Sequence, residues 1–390
     1  MANTGNLPVS APVRSGRASS TQCVCLALAL FVVSSCAPLV AATIANQIPS
    51  LSQGVYEASA FNVGLGFGTV GDQVAYSPNL PDGGFSDPVS KPRYESHIVS
   101  AHWQVNSKLS IGGLLARRNF TSLRDDFKFN SYRVDVSYRL PAIAVDTITS
   151  LDFSIGSNRA SRLDKNSFTQ IGENLLRQVS VNSPSDLHWR ASLSQNHRLT
   201  KNTRYTFFSG VGQTLSRHDG IEGSGVDSTG CVYDFQFFSE GGTVDQRDAC
   251  GAIQSMNRVY PDELSIERDL SVAPQRDMEN NAWFYRVGGN LTSSYNSWQT
   301  SLGFYHQRYV RDLMDQRIRN FGGEVLNTNN VVTLQATRFM SGNLSYTATL
   351  EYNQHQFLDE LPVLYTRLTA DRFSSDVVHM TVSVNYLFRR

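Results

Sequence analysis

Long apolar runs are almost missing from this chain. The one sustained run, "VCLALALFVV" (24–33), is only roughly ten residues long, where about 20 are needed to cross a bilayer as a helix. No later segment reaches about 18 apolar residues, so a transmembrane helix is not expected. An excess of either charge is missing too. The 390 residues hold 34 Lys+Arg against 34 Asp+Glu, which leaves no electrostatic footprint for nucleic acid. Cysteine is scarce at five residues, and neither zinc-ligand spacing nor a glycine-rich phosphate loop occurs, so no metal and no cofactor are expected. Sustained helical periodicity is lacking as well.

What is present begins at the N-terminus. Arg14 and Arg17 precede the apolar run, and "SSCAPLVAA" (34–42) follows it. A positive stretch, a short apolar core and a small-residue site together predict a secretory signal peptide over 1–42, cut after "VAA" (40–42). A second reading takes "VSSC" (33–36) as a loose lipobox that would leave Cys36 acylated. Residues 43–58 then form a periplasmic N-terminal segment, with the folded body over 59–390. Export removes Cys23, Cys25 and Cys36 and leaves Cys231 and Cys250, an even pair in an oxidising compartment. A disulfide closing that short loop is the expected outcome.

Along the mature chain, runs of roughly ten alternating residues recur, each ended by a turn. Strands are predicted over 59–68, 97–105, 109–118, 131–140, 149–158, 187–196, 204–215, 282–292, 297–306, 331–340, 344–353 and 378–388. The clearest is "SYRVDVSYRL" (131–140), with Tyr132, Val134, Val136, Tyr138 and Leu140 on one side and Arg133, Asp135, Ser137 and Arg139 on the other. The links alternate in length. Short ones, 106–108, 141–146, 199–202, 294–296 and 341–343, carry the Asn, Ser, Gly or Pro of tight hairpins. Long polar ones cover 69–96, 119–130, 159–186, 216–281, 307–330 and 354–377. Short/long alternation over an even strand count predicts an all-β fold: a closed antiparallel transmembrane β-barrel of 12 strands, with short periplasmic turns and long extracellular loops. "LLRQVSVN" (175–182) and "CVYDFQFF" (231–238) also alternate. They either extend strands above the membrane or raise the count to fourteen.

The last strand carries a further signal. In "TVSVNYLFRR" (381–390), Thr381, Tyr386 and Phe388 fill a polar-x-Gly-x-x-aromatic-x-aromatic pattern, with Ser383 in the glycine position and Arg389–Arg390 trailing. In this the chain resembles Gram-negative outer-membrane β-barrel proteins, whose last strand is read by the barrel-insertion machinery. The resemblance spans the mature chain as architecture and singles out no family. It implies an outer-membrane location, with membrane lipid, lipopolysaccharide and the insertion machinery as partners. Trp103, Tyr138, Tyr205, Tyr295, Trp298, Tyr346, Tyr386 and Phe388 fall at short-turn ends, as an interfacial girdle requires.

Alternation also names the charges facing the bore: Arg118, Arg133, Asp135, Arg139, Asp152, Arg190, Arg198, Arg286 and Glu351, with His188. Arginines outnumber acids there, which predicts a passive channel or porin favouring anionic small molecules or oligosaccharides. Pairing across strands, Arg133 with Asp152 or Arg190 with Glu351, would instead make these charges structural. The alternative function is a non-conducting surface or envelope-assembly barrel whose loops bind polysaccharide or another partner. Loop 216–281 is expected to fold back over the mouth. No enzyme motif accompanies His97, His306 or the rim pair His218 and Asp219, so no catalysis is expected.

Overall fold

The computed structural model of the chain describes residues 60–70, 93–121, 125–141, 146–166, 169–171, 174–227, 229–246, 258–270, 272–340, 343–355, 358–359, 361–367, 369–370, 373 and 376–388. The expected signal peptide (1–42), the segment 43–58, and Cys36 and Cys250 lie outside the described residues.

The wall opens with β1 (Phe61–Val70), β2 (Arg93–Gln104), β3 (Leu109–Thr121), β4 (Asp125–Arg139) and β5 (Thr147–Arg159). Three shorter strands follow: β6 (Arg162–Lys165), β7 (Thr169–Ile171) and β8 (Asn174–Asn182). The wall resumes with β9 (Ser185–Arg198) and β10 (Thr203–Arg217). It is interrupted again by β11 (Gly220–Val226), β12 (Val232–Phe238), β13 (Gly241–Gln246) and β14 (Arg258–Tyr260). Helices α1 (Glu263–Leu270) and α2 (Pro274–Met278) lead into β15 (Asn280–Tyr295) and β16 (Trp298–Val310). After α3 (Asp312–Asn320) the chain ends with β17 (Thr328–Phe339), β18 (Leu344–Asn353) and β19 (Val377–Phe388).

Twelve of these strands close into a ring. Leu65 on β1 lies opposite Val99 of β2 on one side and Val384 of β19 on the other, both antiparallel. β5 pairs with β9 and β10 with β15, so the intervening strands are bypassed by the wall. Closure gives every wall strand two neighbours and leaves no edge, which is what a sheet in hydrocarbon must achieve. Among the described residues no helix is long and apolar enough to cross a membrane; the strands do that work.

Alternation sorts the side chains. On β18, Thr347, Thr349 and Glu351 are buried while Tyr346 and Tyr352 are exposed. On β4, Tyr132, Val134 and Tyr138 point out, as do Leu65, Leu115, Val211 and Leu302 on other strands; Leu65 is 61% exposed. Leaving a large apolar side chain in water forgoes about 1.5–3 kcal/mol, so a whole belt of them is stable only against acyl chains. All eight aromatics of the expected girdle are exposed at the short-turn end. Phe61 sits opposite both Trp103 and Phe388 there.

Local chemistry makes the short turns. Asn106 Oδ1 accepts from the backbone N–H of Lys108 at 2.8 Å and of Leu109 at 2.9 Å. Thr200 Oγ1 accepts from Asn202 and Thr203 in the same way at 3.2 and 3.0 Å. Tyr295 pairs with Trp298 across a two-residue turn in which Asn296 takes φ 51°, the left-handed region asparagine tolerates.

One expectation is corrected and one alternative is decided. The link 119–130 is mostly strand: β3 and β4 run on as a tall hairpin, with Thr121 opposite Asp126. Of the two alternatives for the runs at 175–182 and 231–238, the structure shows the first: they extend the sheet from this hairpin above the wall and do not raise the wall to fourteen strands. There Phe127 of β4 pairs with Leu163 of β6, and the order continues through β8, β11, β12, β13 and β14.

Candidate functional site

Alternation brings the expected charges into the bore. Arg118, Arg286 and Glu351 are buried inside. Arg133, Asp135, Asp152 and Arg190 border a cavity of about 120 Å³ in the short-turn half, beside Asn62, His102 and Asn385. A second cavity of about 50 Å³ lies farther up, between Arg118, His188, Arg286 and Asp359. Arg133 and Arg190 border both. Gly156 is the cross-strand partner of His188, and a methyl group there would strike the imidazole, so the glycine makes room for the ring.

The pairing of these charges differs from expectation. Arg133 Nε donates to Asp135 Oδ2 at 2.8 Å, two residues along the same strand, where the two-residue period puts both on one face. Asp152 instead accepts from Ser194 Oγ at 2.6 Å, and Glu351 accepts from Asn353 Nδ2 at 2.9 Å. Arg190 makes no ion pair and no hydrogen bond among the described residues. Near the short-turn end Arg198 lies directly opposite Arg204, a like-charge pair of the kind that normally destabilises a sheet.

At the long-loop end the inner wall changes character. Tyr94, Phe120, Phe127, Phe129, Phe284 and Tyr309 are buried there, packed around Leu358, Leu361, Val363, Leu364, Tyr365 and Phe373 from the last long link. A short 3₁₀ turn, Pro362–Leu364, sits within that segment, and Met314 and Ile318 of α3 join the same cluster. The mouth is therefore filled by an apolar stopper. Polar contacts seat it on the wall. Asp359 accepts from the Tyr305 hydroxyl at 3.0 Å and from the Tyr309 hydroxyl, with the Arg286 guanidinium 3.8 Å away. Arg286 itself donates to Gln307 Oε1 at 2.7 Å and lies 3.9 Å over the Tyr305 ring. Arg311 is sandwiched between the Tyr309 and Tyr365 rings and donates to the Leu326 carbonyl at 2.8–2.9 Å.

Of loop 216–281, the described helices α1 and α2 pack against the stopper as a clasp, while β11 to β13 extend the sheet. Asp277 of α2 is fully buried and meets Arg317 of α3 at 2.5 Å and Arg367 of the stopper segment at 2.9 Å. Glu267 of α1 accepts from Arg317 Nη1 and Arg276 Nη2, both at 2.7 Å. Burial pushes the Glu267 carboxyl up, yet Arg317 and Arg276 outweigh it and hold the group below its ordinary range.

Asp359, Tyr305 and Tyr309 were missed from sequence. The available signal was the apolar density of "LDELPVLYTRL" (358–368), unusual for a solvated loop. Of the other named residues, Cys231 is buried, with its backbone N–H donating to Asp227 Oδ1 at 2.9 Å. Thr381 is buried on the inner face, while Tyr386 and Phe388 are exposed outside with ring centroids 4.7 Å apart. Among the described residues no cluster of three or more His, Cys, Asp or Glu could hold a metal ion.

No protein-family model matches the chain, and no curated sequence does. Among solved structures it is similar to the translocator domain of autotransporter NalP from Neisseria meningitidis. The identity is 11%, 87% of this chain and 92% of that chain are covered, and the TM-score is 0.47. An outer membrane channel from Pseudomonas putida F1 shares 9% identity over 88% and 100% of the two chains, with a TM-score of 0.41. The NanC porin shares 9% over 84% and 98%, with a TM-score of 0.35.

Proposed function

We propose that this chain is an outer-membrane channel, passive in mechanism and favouring small anions, closed in the present conformation by its own last loop. The observation that carries the reading is Arg190, which borders both cavities of the bore without an ion-pair partner among the described residues. Arg133 lies beside it, and Arg198 faces Arg204 at the short-turn end. A guanidinium in a narrow wet bore raises the local concentration of carboxylates and phosphates and binds them through its planar fork. Conduction requires Leu358, Leu361, Val363, Leu364, Tyr365 and Phe373 to leave the mouth, since their side chains fill it. The test is planar-bilayer recording with a reversal potential under a salt gradient. Anion-selective conductance supports the reading, and conductance no greater than background ends it.

The filled mouth favours a second reading, a non-conducting surface or assembly barrel whose external sheet binds polysaccharide or another partner. Exposed Val259, Leu264 and Leu313 lie on that side. In both readings residues 1–42 serve as the export signal, Thr381, Tyr386 and Phe388 address the insertion machinery, and Cys231 is bonded to Cys250. The short turns then face the periplasm and the long loops the exterior.

A further inference from the structure

On the outer wall the apolar belt stops at one level on four adjacent strands. Register sets His97 of β2 opposite Arg117 of β3, Arg117 opposite Asn130 of β4, and Asn130 opposite Arg159 of β5. All four are exposed, and the two-residue period aims them outward. Through Ser185 the same row reaches Arg217 of β10. The next outward row below is Leu65, Val99, Leu115 and Tyr132, again in register. A surface groove of about 430 Å³ joins the two rows: Leu65, Val99 and Leu115 line its apolar part, and His97, Arg117 and Asn130 its polar head. The row above carries Glu95 and Lys128, one charge of each sign, so it does not neutralise the arginines. Arg117 and Arg159 make no hydrogen bond or ion pair among the described residues.

We propose that this row is a binding site for a phosphate-bearing lipid of the leaflet at the long-loop end. The headgroup phosphate would lie between Arg117 and Arg159, with an acyl chain along Leu65, Val99 and Leu115. This rests on the membrane seat given above, and not on the channel. The chemistry selects the occupant. A guanidinium one row above hydrocarbon cannot be fully hydrated, and its fork matches the oxygens of a phosphate. On these strands two arginines and a histidine stand at the boundary, with the His97 ring 5.1 Å from that of Phe67 on β1, an arrangement suited to anionic headgroups. The apolar groove directly beneath distinguishes a lipid from a free anion, which would have no use for it.

Native mass spectrometry of the detergent-purified full chain tests this, with phosphatidic acid, phosphatidylcholine and inorganic phosphate offered in separate arms. Phosphatidic acid should be retained about tenfold more than phosphatidylcholine, and R117Q/R159Q should abolish that preference. Equal retention by the wild type and the variant would overturn the site. Displacement of the lipid by millimolar inorganic phosphate would also overturn it, by showing that the acyl groove contributes nothing. Heat-modifiable electrophoretic mobility verifies that the variant is folded, and R159Q alone serves if the double variant is not. A chain that stays monodisperse without detergent would instead defeat the membrane seat itself, an outcome read separately.

Discussion

The Tyr305 hydroxyl donates to Asp359 Oδ2 at 3.0 Å, joining the wall to a loop 54 residues farther along the chain. With the Tyr309 hydroxyl and the Arg286 guanidinium, it forms a polar seat beneath the apolar cluster of the stopper. Removing one partner of a buried charged contact strands the other, at a cost of about 3–5 kcal/mol. Asp359→Ala should therefore unseat the segment while leaving the wall intact. Open probability in planar bilayers is expected to rise several-fold. Unchanged conductance in a folded variant would mean that the stopper is not the gate. Asp359→Asn, which keeps a hydrogen-bond acceptor for Tyr305, should have the smaller effect.

Arg190 gives a test of selectivity because its guanidinium makes no ion pair and no hydrogen bond among the described residues. Arg190→Gln should lower the anion-to-cation permeability ratio by on the order of fivefold, about 1 kcal/mol of lost attraction in a partly hydrated bore. Arg133→Gln should lower it further, since it also leaves the Asp135 carboxylate without its 2.8 Å partner. Reversal potentials measured across a salt gradient report both.

How much of this was legible in the sequence depended on whether a side chain answers to one constraint or to several. A wall residue answers to one: lipid outside, polar bore inside, so Tyr132, Val134 and Tyr138 alternate with Arg133 and Asp135 and announce their faces. Twelve strands and their short turns followed from that period. The hairpin extension at 119–130 was less visible, because above the membrane Phe127 and Phe129 turn inward and the polar residues outward, reversing the sense of the pattern. The stopper was invisible for another reason. Asp359 meets Arg286 across 73 residues of chain, and only ring closure and strand register bring them together. The expected Arg133–Asp152 pair failed because a same-strand neighbour two residues away is nearer than a cross-strand one.

Acid should loosen the clasp before the wall. Glu267 is held below its ordinary value by Arg317 and Arg276, against the upward push of burial. Its folded value lies under the unfolded one, so its stabilisation is complete above the ordinary value of about 4.3 and fades as the pH falls through the lowered one. Protection of α1 and α3 against hydrogen exchange, taken relative to the intrinsic rate at each pH, should be constant at neutral pH and fall as the pH drops below the ordinary carboxylate range. Glu267→Gln should be less protected than the wild type at neutral pH, converge with it in acid and lose most of this acid response. A wild-type profile that is flat to the lowest pH would remove Glu267 from the clasp.

The last prediction concerns the external sheet. Cys231 is buried at the start of β12, where Asp227 and Thr229 fix the turn around it. A bond to Cys250 would close a loop of roughly 20 residues and, by restricting the unfolded chain, contribute about 3 kcal/mol to the local fold. That stabilisation should be confined to β12–β14, because these strands pair with one another and with β8 through β11, whereas the wall closes without them. Reduction should therefore speed exchange in 232–246 and leave β10 and β15 protected. Diagonal electrophoresis should show the intramolecular bond in protein purified without reductant. Two titratable thiols in that preparation would sink the pairing, and the stability of the sheet would then rest on the stacked Phe235 and Phe237 rings, whose centroids lie 5.0 Å apart.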